Sequence, residues 1–155
     1  MIEITLHGTC VGFGERGVLI IGPPGSGKSS LALRLMDEPG YGIATHLMRG
    51  ELVSDDQVVV RRTETGLVAS APPTLAGKFE IRGLGIVSVP TQAAVSVALV
   101  VSLKPHAEIE RLPHPRTYEI LGIALPTVEI DGNSASAPAR LRASLNKFML
   151  WNGPV

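Results

Sequence analysis

Eight residues, Gly22-Pro23-Pro24-Gly25-Ser26-Gly27-Lys28-Ser29, have the types and spacing of a phosphate cradle. They read G-x-x-x-x-G-K-S, whose glycines let successive backbone N–H groups turn toward phosphate oxygens. In that chemistry Lys28 reaches the β- and γ-phosphates of ATP, and the Ser29 hydroxyl ligates Mg²⁺. With Ser30, where the helix dipole adds its positive end, these residues form the expected nucleotide-binding set. A plain Gly/Pro turn accounts for the glycines but not for the agreement of the pattern with its flanks.

Two further groups carry chemistry. Asp55 and Asp56 form an acidic pair between short apolar runs. A carboxylate at a strand end beside a phosphate loop offers an oxygen to Mg²⁺ or its water, or a base to an attacking hydroxyl. Adjacent side chains on an extended chain point different ways, so the two Asp can hold different roles. Read alone, the pair is as readily a solvated turn. Further on, Glu80 and Arg82 precede Gly83 and Gly85. Glu80 would be a second Mg²⁺ ligand and Arg82 would neutralise phosphate charge, while the glycines let the backbone bend or approach a ligand. Unaided, that run reads as a surface loop entering a strand. His106 and His114 lack the companions of a metal site and read as loop residues.

The elements around these residues follow from pattern. Residues 17–21, Gly-Val-Leu-Ile-Ile, make a buried strand before the loop, and Leu31 and Leu35 give the helix after it. Pro39-Gly40 stops that helix. Residues 2–6 alternate as a strand, with 9–13 as its hairpin partner and 14–17 as a turn. Ile43, Leu47 and Met48 suggest a short helical face capped by Gly50. Residues 63–66 turn into a returning strand over 67–71, and 95–103 is a buried central strand. Residues 104–118 read as an irregular connection. Residues 120–130, with Pro126 inside, read as one edge strand or two short ones. Ser136 or a neighbour caps a final helix with Pro138 in its first turn. Leu141, Leu145, Phe148 and Met149 share its packing face, and Trp151 anchors the C-terminus. The expected fold is α/β: a single P-loop domain over residues 1–155, with a mixed central sheet, flanking helices and a C-terminal helix.

Composition narrows the function. At 155 residues and 45% hydrophobic, the chain has material for one proper core. Fourteen basic residues balance fourteen acidic ones, so no electrostatic footprint for nucleic acid exists. A lone Cys10 allows no internal disulfide and points to a reducing cytoplasm. No stretch has the length of a membrane span, and the start lacks a signal-peptide pattern.

Taken in order, His7-Gly8, the loop at 22–29, Asp55-Asp56 and the run Glu80-Ile-Arg-Gly-Leu-Gly-Ile86 resemble the C-terminal catalytic domain of HPr kinase/phosphorylase. The run at 80–86 resembles that family's signature and is far more specific than the P-loop. The resemblance covers roughly residues 5–130 and implies a catalytic domain without the family's usual N-terminal domain. It implies ATP-dependent phosphorylation of a serine on an HPr-type phosphocarrier protein of a phosphotransferase system. It also implies a reverse reaction, in which inorganic phosphate releases pyrophosphate. The implied catalytic residues are Asp55 as base, Lys28, and His7 tuning the acidic pair. Ser29, Asp56 and Glu80 would hold Mg²⁺, and Arg82, Gly83 and Gly85 would form a phosphate and partner loop. Full-length members are homo-oligomers, as hexamers.

Three departures stand out. Residues 39–50 look inserted between the P-loop and the acidic pair. The family's Pro-x-Arg-Pro-Gly-Arg-like stretch is replaced after Pro126 by Thr-Val-Glu-Ile-Asp-Gly-Asn-Ser-Ala-Ser-Ala, with no arginine before Arg140. Arg116, Arg140 and Arg142 are the candidates to replace that cation. The third is the short chain, which bears on hexamer assembly. Two rival readings remain. One is a small-molecule P-loop kinase, against which stands the lack of an Arg-rich lid. The other is a nucleotide-binding regulatory module without turnover, favoured by the missing arginines and opposed by the intact Lys28, Ser29, Asp55 and Glu80.

Overall fold

The computed structural model describes residues 2–151, and side chains as far as Phe148. The strands are β1 (Glu3–His7), β2 (Thr9–Phe13), β3 (Arg16–Ile21), β4 (Glu51–Ser54), β5 (Gln57–Thr63), β6 (Gly66–Ser70), β7 (Lys78–Ile81), β8 (Gly85–Ser88), β9 (Ala94–Leu103), β10 (Arg116–Ile120) and β11 (Ile123–Ile130). The helices are α1 (Lys28–Asp37) and α2 (Ala137–Trp151). The main sheet runs β1-β5-β6-β9-β3-β2-β4, with β11 also on β9 and β10 on β11; β7 and β8 form a separate hairpin.

Strand periodicity splits the interior in two. On β3, Val18 and Ile20 enter the core under the helices, while Leu19 enters the core on the opposite face. β9 carries the same alternation through a bulge. Gly17 pairs with Val97 but Val18 pairs with Leu99, so Ala98 is an extra residue. The bulge flips the pattern. Val95 and Val97 share a face with Val100, and Leu99, Val101 and Leu103 turn to the helices. Leu31, Ala32 and Leu35 of α1 meet Leu141 and Leu145 of α2 over that face. β9 is the central strand expected from its sequence, antiparallel to β6 and parallel to both β3 and β11.

Four local expectations are corrected. β1 does not pair with β2; it lies antiparallel on β5, with His7 opposite Gln57. β2 instead pairs with β3 and β4. The glycine break at 8 frees the chain to change partners, and all of β2 is buried while β1 is mostly exposed. Residues 41–50 form no helix. They make an irregular loop closed by a Gly40–Met48 bridge, with Ile43 exposed and in the left-handed region, φ 59°. Asn146 of α2 pins this loop through Tyr41 O and Gly42 O, and only Met48 enters the core. The segment 104–118 is irregular up to Arg116, with one 3₁₀ turn at His106–Glu108, and then becomes β10. β11 is not an edge strand: its first half pairs with β10 and its last residues with β9, so Pro126 sits where partners change. The readings of Met149 and Trp151 fall on side chains outside the described residues. Among the described residues no helix is long and apolar enough to cross a membrane.

Candidate active site

The P-loop closes the C-terminal end of β3 and opens α1. Gly25 and Gly27 take positive φ, 79° and 98°, where a side chain would strain the backbone. The turn is held by the Ser26 N–H on Pro23 O, and helical bonding starts with the Leu31 N–H on Gly27 O. Lys28 folds over the loop and donates to Gly22 O at 2.7 Å and Pro23 O at 3.1 Å. Its ammonium thus already sits above the cradle, on acceptors that phosphate oxygens can replace.

Asp55 follows β4 and faces the same place. Its Oδ1 accepts the Ser29 hydroxyl at 2.8 Å and the Thr9 hydroxyl at 2.9 Å. No hydrogen bond reaches its Oδ2 among the described residues. Asp56 diverges, as extended geometry anticipates. It is exposed and in the left-handed region, φ 68°, while its carbonyl accepts the Gly8 N–H at 3.1 Å. The tight turn between β4 and β5 is secured by the Gln57 N–H on Asp55 O and the Ser54 hydroxyl on Gln57 O. So β1, β2, β4 and the head of α1 converge on one acidic corner.

The other expected residues are placed less tightly. His7 ends β1 beside that corner, exposed and without a hydrogen bond to either Asp. Glu80 lies exposed on β7, opposite Ile86. Arg82, Gly83 and Leu84 form the hairpin tip, and both glycines take positive φ. Phe79 fixes the hairpin to the core, yet neither Glu80 nor Arg82 forms an ion pair among the described residues.

The candidate replacement arginines are engaged. Arg116 pairs with Glu110 at 2.7 Å and Glu129 at 3.3 Å. Arg140 donates to Ser136 Oγ at 2.8 Å. Arg142 is buried and donates to Leu35 O and Glu38 O, the orphan carbonyls ending α1. Burial pushes its guanidinium below the usual arginine range, with Glu38 opposing that shift.

Sequence reading missed two residues. Thr9 is completely buried and touches Asp55, but a lone threonine in a strand carries no motif signal. Arg34 of α1 donates to Ser134 O at 2.9 Å and to Gly132 O, tying the loop after β11 to the P-loop helix. Its helical position gave no hint of that reach.

The residues fit Mg²⁺ with ATP. Ser29 and Asp55 place hydroxyl and carboxylate oxygens together, and Lys28 supplies a cation over the cradle. Among the described residues no three His, Cys, Asp or Glu side chains gather as a metal group. Mg²⁺ with a nucleotide does not require one, since it keeps waters and takes phosphate oxygens beside one or two carboxylates.

Residues 2–143 match the family described as HPr Serine kinase C-terminal domain. An HPr kinase/phosphorylase of Caldicellulosiruptor bescii is 39% identical over 141 residues, covering 83% of this chain and 42% of the relative. One from Clostridium tetani is 34% identical over 140 residues, covering 89% and 41%. The chain thus spans about two fifths of the length of these relatives. The solved Hpr(Ser) kinase/phosphatase of Coxiella burnetii superposes with a TM-score of 0.79 at 27% identity, covering 97% of this chain and 99% of that one.

Proposed function

The chain belongs to the HPr serine kinase C-terminal domain family, and on that premise we propose that it is an ATP-dependent protein-serine kinase. Its substrate is an HPr-type phosphocarrier protein of a phosphotransferase system, met in the cytoplasm. The observation that carries the reading is Asp55 held against Ser29, with Lys28 folded over the loop beside them.

When bound, Mg–ATP supplies the phosphoryl group and the cation that offsets charge on its β- and γ-oxygens. Gly25 to Ser29 aim N–H groups and the Lys28 ammonium at those phosphates. Ser29, with Asp56 and Glu80 as further oxygens, would hold Mg²⁺. Asp55 is the base: Oδ2 takes the proton of the incoming serine hydroxyl while Oδ1 stays held by Thr9. His7, at the same corner, tunes the acidic pair. Arg82, Gly83 and Gly85 present the hairpin tip to phosphate or to the carrier. In the reverse reaction phosphate attacks phosphoserine, the serine oxygen leaves with a proton from Asp55, and pyrophosphate forms. The loop after β11 carries no arginine, so it supplies no cation to the transferring phosphate in either reaction.

Asp55→Asn tests the reading against a nucleotide-binding module without turnover. The kinase reading expects ATP affinity to survive and phosphoryl transfer to fall by about 10²–10⁴-fold, the range of general-base catalysis. A chain with no transfer to lose, binding ATP equally well with either residue, is the module instead.

A further inference from the structure

The loop after β11 carries no arginine of its own, yet an arginine ties it to the P-loop helix. Arg34 lies half-buried in the last turn of α1. A cation at that place ordinarily eases the dipole of the helix end. This one reaches away from its helix. Its Nη1 donates to Ser134 O at 2.9 Å and its Nη2 donates to Gly132 O. The two groups fork over one turn of backbone. A planar guanidinium makes such a fork, and an ammonium does not.

The turn that Arg34 grips is itself stiff. Asp131 Oδ1 accepts the Asn133 N–H at 2.9 Å, and Asp131 O accepts the Ser134 N–H at 3.1 Å. Its other side presses on the P-loop. Gly132 is buried, and a Cβ there would lie 2.8 Å from Ser26 O and 2.9 Å from Leu103 Cδ1. A Cβ on Gly27 would lie 3.2 Å from Asn133 Oδ1. Residues 26 and 27 therefore lean on a turn that Arg34 fastens to the helix that follows them. Helix, P-loop and turn close a ring.

We propose that Arg34 is a positioning residue for phosphate binding, which acts through the turn at 131–134 to hold the P-loop in its phosphate-ready shape. The proposal rests on the P-loop reading and names what keeps that loop in form. Two features of the loop call for a brace. Gly25 and Gly27, at positive φ, have the most backbone freedom to lose when phosphate binds. Lys28 ties the loop through Gly22 O and Pro23 O, and these are the bonds it exchanges for phosphate. The Gly132 contact and the Ser26 N–H bond to Pro23 O do not depend on Lys28. A loop ordered beforehand binds its ligand at a lower entropic cost.

Arg34→Lys separates a brace from a dipole effect, because lysine keeps the charge and loses the fork. Calorimetry with Mg–ATP should show affinity about tenfold weaker in this variant, as loss of hydrogen bonds to a charged group does. Amide hydrogen exchange over residues 25–27 should quicken by a similar factor, while residues 31–35 of α1 keep their rate. Gly132→Ala leaves Arg34 intact and pushes on Ser26 O, so it should weaken Mg–ATP by a like amount. It also carries the test alone if Arg34→Lys does not fold. Unchanged Mg–ATP affinity in either folded variant overturns the proposal, whatever the urea midpoint does, and leaves Arg34 a role in stability only. So does exchange that quickens evenly across residues 25–35, which marks a general loosening. Absence of Mg–ATP binding by the unaltered chain overturns the P-loop reading and the proposal with it.

Discussion

The hydroxyl of Ser29 donates to Oδ1 of Asp55 across 2.8 Å, although 26 residues separate them in the chain. This bond joins the head of the P-loop helix to the turn after β4. It puts the hydroxyl proposed to bind metal and the proposed base in one place. Thr9 on β2 reaches the same carboxylate oxygen, so Asp55 keeps a partner when Ser29 turns to a metal.

Thr9 is therefore a positioning residue. Thr9→Val keeps its volume and removes the hydroxyl that fixes Asp55. We expect kcat to fall about tenfold, the worth of one hydrogen bond to a charged group, with KM for ATP little changed. Thr9→Ser should restore most of the rate. A fall in thermal stability with kcat intact would show that the threonine serves only packing.

Lys28 donates to two loop carbonyls that phosphate oxygens can replace. Lys28→Ala should weaken Mg–ATP by about 10–100-fold, the loss of charge-assisted bonds of roughly 1.5–3 kcal/mol. Calorimetry reads this directly, and an unchanged affinity removes the phosphate-cradle assignment.

Arg142 serves the fold rather than the chemistry. It is 4% exposed and supplies hydrogen bonds to the last carbonyls of α1. Arg142→Leu fills the space but leaves those acceptors buried without a partner, at a cost of about 2–4 kcal/mol. The urea midpoint should drop accordingly, while the unfolding slope stays constant.

Cys10 is fully buried, and desolvation pushes its thiol up from 9.0 to about 12. At pH 8 the folded chain should resist alkylation that the urea-unfolded chain undergoes readily. The sign of the pH effect on stability follows. Between about pH 9 and 12 the unfolded thiol loses its proton and the folded one keeps it, so this group lowers stability as pH rises. Cys10→Ala should flatten that part of the stability curve.

Much of this was legible in the chain. The P-loop, its flanking strand and helix, and the acidic pair are local patterns whose spacing fixes their geometry. The strand at 95–103 was readable because continuous apolar residues mark a strand buried on both faces. What stayed hidden depends on tertiary choice. Nothing in residues 3–7 says that β1 pairs with β5, because an exposed alternating strand suits either partner. The apolar spacing of Ile43, Leu47 and Met48 imitated a helix, but Gly40 and Gly42 press against Arg142 and the Asn146 clamp holds an irregular path. Thr9 and Arg34 act across the fold on a carboxylate and on carbonyls, and partners of that kind leave no trace in spacing.

The central claim is phosphoryl transfer to a carrier serine. Intact-mass measurement of an HPr-type carrier, incubated with this protein, ATP and Mg²⁺, tests it most directly. The account predicts one added phosphoryl group, stable to acid and absent when Asp55→Asn replaces the unaltered chain. An unmodified carrier, alongside ATP binding confirmed by calorimetry, would contradict it.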